Sequence, residues 1–358
     1  MRKRGRRILR WLTIIVALMG FAVGSLLGCR AWRQHEISNA IAIRSPSGID
    51  SLEKVRLGGI DQSIQIRGRD RTNPILLMLH GGPGISEMPF GYVNAELEQY
   101  FTIVQWDQRG AGKSFSTSIP ADSMTLPQLV RDAEQLVELL RARFRQERIF
   151  IVGHLTGTVI GVLLAQQHPE FVRAYVGISQ VADLNTTEQL PYDFAMHTAV
   201  ERNNEEAVRE LRQIGLPPFS TEKQLQISQK WVNTFAPDRF AAIAPDRLKL
   251  LFFSPFCSLA DLWQMVRGAK FSFDHLWREF FAVNLFEQVP RLDAPVYFFE
   301  GRNDHVVTRR VATQYFDRLD APRGKHLVSF ESSAHWPQLD EPEKFRRVMV
   351  EHVLAENR

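Results

Sequence analysis

Two loops far apart in the chain carry the parts of an acid–base relay. Asp304 closes the stretch Phe299-Glu300-Gly301-Arg302-Asn303-Asp304, and His335 lies in Glu331-Ser332-Ser333-Ala334-His335-Trp336. Each follows a short apolar run of the kind that forms a buried strand. A carboxylate so placed would hold the imidazole in one tautomer, and the imidazole would take the proton of a nucleophile. The place of that nucleophile can also be read. Gly153-His154-Leu155-Thr156-Gly157 joins the apolar run Ile149–Val152 to Val159–Ala165, which makes a strand, a tight turn and a helix. This is the layout of a nucleophile elbow, whose apex side chain stands exposed on a strained turn. The apex here is Leu155, and an aliphatic side chain cannot attack a carbonyl.

A third loop, His80-Gly81-Gly82-Pro83-Gly84, follows the apolar run Pro74–Leu79. Its glycines let backbone N–H groups converge on a developing negative oxygen. The amides of Gly82 and of Thr156, directly after the apex, are the expected pair. Thr156 also has a hydroxyl, but one residue past the apex, where its side chain points elsewhere. Turnover through Thr156, or through water activated by His335 and Asp304, is the alternative to a silent site. Gly112-Lys113-Ser114 resembles the tail of a phosphate-binding loop, yet that motif needs glycine at position 107, which is Asp107. No metal or cofactor is expected.

The elements that must hold these loops alternate. Apolar strands at about 74–79, 101–106, 149–152 and 173–178 are interleaved with a helical segment over Thr125–Gln146 and the helix after the elbow. Two further β segments precede them, around Glu53–Leu57 and Gln62–Arg67. Continuous apolar strands separated by helices predict a mostly parallel sheet covered on both faces. The alternation stops near Asp183 and returns only at Ala294–Phe299. The residues between are helical in character, as in Glu201–Ile214, Glu222–Phe235 and His275–Phe286, and read as a lid inserted into one sheet. A strand at Leu327–Phe330 and a helix from Glu341 to about Ala355 close the chain. The expected organisation is a leader over 1–29, a stalk over 30–50, a core over 51–182 and 291–358, and a helical lid over 183–290.

With these motifs in place the chain resembles the proline iminopeptidase-like branch of the α/β-hydrolases, over roughly residues 55–355. The likeness rests on His80–Gly84, on Trp106-Asp107-Gln108-Arg109-Gly110-Ala111-Gly112-Lys113-Ser114, on the elbow through Gln166-Gln167-His168-Pro169-Glu170, and on the Asp304 and His335 loops. It implies an α/β-hydrolase fold, and an activity that removes N-terminal residues, often proline, from short peptides. Some relatives hydrolyse other amides or esters. It also implies acids in the lid that bind the free amine of the substrate. Glu188, Glu201, Glu205 and Glu206 are candidates by region. Leu155 departs from the pattern. The expected function is therefore a pseudohydrolase that binds a small molecule or short peptide, with the working hydrolase as its alternative.

Of the 44 Lys and Arg, eight fall in residues 1–35, which hold no acid; residues 36–358 carry 36 basic against 40 acidic side chains. The excess charge belongs to the leader, so nucleic-acid binding is not expected. After Arg2-Lys3-Arg4-Gly5-Arg6-Arg7, the stretch Trp11–Gly28 runs 18 residues without a charge, close to the roughly 20 residues that span a bilayer. A basic cluster before such a stretch predicts a cytoplasmic N-terminus and a folded domain on the far side. A single-pass signal anchor is expected. The rival is a lipoprotein, because Leu26-Leu27-Gly28-Cys29 looks like a lipobox with Cys29 as the modified residue. Gly20, Gly24 and Gly28 recur every four residues, a spacing that allows close helix pairs and so a homodimer.

Overall fold

A computed structural model describes residues 2–235, 245–304, 307 and 309–357. The chain opens with helix α1 (Arg2–Ala40), then strands β1 (Ile49–Leu57), β2 (Ile60–Gly68), β3 (Ile75–Leu79) and β4 (Thr102–Trp106). Helix α2 (Leu126–Phe144), β5 (Ile149–His154), α3 (Thr156–Gln167) and β6 (Val172–Ile178) complete the first half. The insertion contains α4 (Leu184–Glu201), α5 (Glu205–Ile214), α6 (Glu222–Phe235), α7 (Pro245–Phe253), α8 (Leu259–Phe281) and α9 (Leu285–Gln288). The sheet then resumes with β7 (Val296–Gly301), α10 (Arg309–Arg318) and β8 (Lys325–Phe330), followed by α11 (Pro337–Asp340) and α12 (Pro342–Val348), which runs on through a π turn to Leu354.

The eight strands form one sheet in the order β1-β2-β4-β3-β5-β6-β7-β8. β1, β2 and β4 pair antiparallel, and all pairs from β4 to β8 are parallel. β3, β5 and β7 are buried almost throughout, which explains why they read as unbroken apolar runs. The two edge-side strands are longer than their sequence suggested because a two-residue turn, Gly58-Gly59, has positive φ at both positions and closes a tight hairpin. Behind the turn, Arg109 and Asp132 form a fully buried two-pronged ion pair at 2.8 and 3.1 Å. Arg109 also donates to the Gly58 carbonyl, and Gln62 and Gln128 donate to Asp132, so no charge or lone pair is stranded.

Two expectations change. Residues 30–40, read as a stalk, continue α1 and dock on the lid: Arg30 donates to the carbonyls of Phe252 (2.9 Å) and Cys257 (2.5 Å), and Gln34 to that of Ser254 (2.5 Å). The helix expected at Glu201–Ile214 is split. α4 runs to Glu201, Asn203 takes a positive φ of 51°, and the Asn204 side chain caps a new helix by accepting from Ala207 N–H. The segment His275–Phe286 proves to be the end of the 23-residue α8, its exit turn and the start of α9. Cys29 is exposed, Cys257 is buried, and both are free thiols.

Candidate active site

All parallel strands present their carboxyl ends at one edge, where the three candidate residues meet. β5 ends at His154, and Leu155 takes φ 50° and ψ −120° before α3 begins. A leucine in this region is strained by roughly 1–3 kcal/mol. Its neighbours impose the turn. Leu155 N–H donates to the Ile178 carbonyl, and its own carbonyl accepts from Thr158 N–H (2.9 Å) and Thr158 Oγ1 (2.5 Å). A Cβ at Gly157 would lie 2.1 Å from the Leu79 carbonyl oxygen, so only glycine lets α3 pass β3 this closely.

The loop after β3 lies against the apex. A Cβ on Gly81 would stand 2.7 Å from Leu155 Cβ and 3.3 Å from Cδ2. The leucine side chain therefore leans over the loop that should receive a substrate oxygen. The amides of Gly82 and Thr156 have no acceptor among the described residues, which leaves both donors available. The motif Trp106–Ser114 braces this loop. Gln108 N–H donates to His80 Nε2 and Gln108 Nε2 to the His80 carbonyl, while Asp107 accepts from Ser86 Oγ and Lys113 N–H.

Asp304 follows β7 and His335 follows β8. Their loops interlock because a Cβ on Gly301 would fall 1.9 Å from the Ala334 carbonyl oxygen. His335 Nδ1–H donates to Asp304 Oδ2 at 3.0 Å, and both residues are buried. Asp304 Oδ2 also accepts from Ser179 Oγ (2.7 Å), and Oδ1 from Val307 N–H (3.0 Å). Burial alone would raise the Asp304 pKa, but His335 and these donors overcome it and hold the carboxyl below its ordinary value. His335 Nε2 has no partner among the described residues, so the relay is set and its far end is open.

Three residues that the sequence reading passed over complete the site. His154 Nδ1 lies 2.6 Å from Glu87 Oε1, and its Nε2 lies 2.9 Å from the His335 carbonyl. With Glu87 ionised both partners are acceptors, both ring nitrogens donate, and His154 is an imidazolium. Burial opposes both charges, but the pair outweighs it: the pKa of His154 is raised and that of Glu87 lowered. Ser179, with φ 50°, donates to Asp304 and to the His335 carbonyl (3.2 Å) rather than to the imidazole. It thus holds the acid in place and is not a hidden nucleophile. Thr156 begins α3, and no hydrogen bond joins its hydroxyl to His335.

The lid acids separate by environment. Glu201 is exposed at the end of α4 near His197, and Glu205 and Glu206 are exposed in the first turn of α5, with Glu206 3.8 Å from Lys230. Glu188 is half-buried one turn into α4, the helix that leaves the catalytic end of β6, and it has no hydrogen-bond or ion-pair partner among the described residues. Burial pushes its carboxyl up to about 8. Among the described residues no group of His, Cys, Asp and Glu is arranged to hold a metal. Gly20, Gly24 and Gly28 face open space on α1.

A family model described as the alpha/beta hydrolase fold matches residues 74–342, from β3 through the His335 loop. The chain is an α/β hydrolase by family. Within that family it is proline iminopeptidase-like. It is 32% identical over 317 residues to a probable aminopeptidase, YbaC, of Bacillus subtilis, a match that spans 87% of this chain and 98% of the relative. A proline iminopeptidase of Saccharolobus solfataricus is 23% identical over 310 residues, spanning 83% and 90% of the two chains. The solved structure of a bacterial membrane phospholipase A shares the fold with a TM-score of 0.60 at 18% identity, covering 97% of this α/β hydrolase and 98% of that chain.

Proposed function

We propose that this α/β hydrolase is held at a membrane by α1 and uses a proline iminopeptidase-like site to bind a small molecule or short peptide without cleaving it through a covalent intermediate. One observation carries the reading. The apex of an otherwise complete site is a leucine whose side chain lies over Gly81. The nucleophile is lost, while the Asp304–His335 pair and the two free amides remain. The anchor rests on Arg10–Ala40, a helical stretch long and apolar enough to span a bilayer, in which Trp11–Cys29 is exposed throughout. The test is an assay of the full chain against aminoacyl-arylamides and short-chain aryl esters, with binding followed by calorimetry. Binding without turnover is expected. Turnover at ordinary enzymatic rates would defeat the proposal and would point to water or Thr156 as the attacking group.

Among the lid acids, Glu188 fits a free amine best. It is sheltered and unpaired, so a bound ammonium would supply its missing partner. Its folded pKa of about 8 exceeds its ordinary 4.5. Between these values the native state holds more protons than the unfolded chain, so this group makes stability fall as pH rises. Glu188→Gln should remove that slope, leaving the variant roughly 1–3 kcal/mol more stable than the parent at pH 9 and nearly equal at pH 4.5. Thermal melts across this range would show it. The same variant should bind aminoacyl ligands more weakly; equal affinity would dismiss Glu188 as the amine site.

A further inference from the structure

The apolar part of α1 and the lid meet at a fixed level. Trp11 and Trp32, both exposed, lie 21 residues apart, which is about 32 Å along a helix and close to the ~30 Å hydrocarbon core. Tryptophans at both ends of a spanning helix mark the two membrane–water interfaces. Arg30 lies between them, two residues past the charge-free run, and is already bonded to the lid through Phe252 and Cys257, with its guanidinium 5.5 Å from the Phe252 ring. The lid segment 252–258, the end of α7 and the loop after it, therefore reaches the level of the domain-side tryptophan.

α8 starts directly after that loop. Leu259, Trp263 and Val266 recur at i, i+4 and i+7 on its first two turns, and so share one face. All three are exposed, Trp263 by 66% and Val266 by 63%. The buried face of the helix, with Gly268, Ser272, Leu276 and Phe280, packs inward, and Ser272 lies against Gly84 of the oxyanion loop. A bare tryptophan flanked by two aliphatic side chains is costly in water and suited to the headgroup region of a bilayer.

We infer that the Leu259–Trp263–Val266 face of α8 lies in the phospholipid interface, which gives the lid a membrane contact of its own beside α1. The inference rests on the anchor reading given above. Its test uses the full chain in phosphatidylcholine–phosphatidylglycerol vesicles, with ordinary acyl chains or with chains brominated near the glycerol end. The Trp263 signal is the fluorescence difference between the parent and Trp263→Phe, and the Trp11 signal is the difference between the parent and Trp11→Phe. Both side chains are exposed, so neither change disturbs the core, and matching melts would verify this. Brominated lipid should cut both signals by roughly half or more, as befits indoles at the interface. A Trp263 signal that survives while Trp11 is quenched would overturn the lid contact and leave the anchor standing. If neither is quenched, the anchor fails and the lid contact with it.

Discussion

Leu155→Ser is expected to give the site the turnover of an ordinary serine hydrolase. Removing the serine of a serine hydrolase costs about a millionfold in turnover, and roughly a thousandfold acceleration over water survives without it. The reverse change should therefore raise kcat/KM toward aminoacyl-arylamides or aryl esters by about a thousandfold at least. The backbone is already in place, because the apex conformation is held by the glycines around it and by its hydrogen bonds to the Ile178 carbonyl and from Thr158 rather than by the leucine side chain. Serine would also remove the Cδ2 that lies nearest Gly81 after the Cβ. His335 Nε2 is open to take the new hydroxyl's proton, with Asp304 behind it. Adding Asp304→Asn should abolish most of the gain by disturbing the tautomer of His335. A folded Leu155→Ser protein that stays silent on a broad substrate panel would mean that the pocket, and not merely the nucleophile, has been lost.

Glu87→Gln should give the largest loss of stability, with a pH dependence that identifies its cause. Glu87 and His154 form a buried pair that also supports two loops: Glu87 accepts from Gly81 N–H, and His154 donates to the His335 carbonyl. Breaking one half of a buried ion pair costs about 3–5 kcal/mol because the remaining charge is left uncompensated. His154 has a folded pKa raised above 6.5, so its contribution is fully present below that value and is lost as pH climbs through the raised one. Glu87 has a folded pKa depressed below 4.5, so its contribution is present above 4.5 and lost as pH drops through the depressed one. The deficit should thus be largest between about pH 4.5 and 6.5, near 3 kcal/mol, and shrink as pH climbs through the raised pKa of His154 and the imidazole becomes neutral. Denaturant melts of parent and variant in a series from about pH 5.5 to pH 9 would measure it. A deficit that does not change anywhere along the pH series would remove the ion pair as its cause.

What the sequence revealed and what it hid follow from the range of the forces involved. β3, β5 and β7 could be read because burial on both faces removes polar residues from a whole strand. Asp304 and His335 stood out because each follows such a strand. The Glu87–His154 pair left no trace, since its members are 67 positions apart and each alone is an ordinary polar residue. Ser179 carried no signal in the sequence; only the packing of β7 and β8 brings Asp304 to its hydroxyl. The docking of α1 was invisible for another reason. Arg30 and Gln34 bind carbonyl oxygens, which every residue has and no residue type advertises. Glu201–Ile214 read as one helical segment, whereas Asn203 and Asn204 break it with a left-handed turn and a side-chain cap.

The insertion also sets the order in which the molecule can be completed. β6 pairs with β7 from Tyr175 opposite Val296 to Ile178 opposite Phe299, so about 120 residues of lid and loop are synthesised before that edge can close. Until then an apolar strand edge stands open, the kind of surface on which nascent chains associate. Such distant pairings slow folding because the loop must be closed before any contact rewards it. The acid and the histidine lie beyond that junction, and the Arg30 contacts wait for Cys257, 227 positions downstream. The elbow thus takes its place early, and the relay that would serve it is the last part of the sheet to arrive.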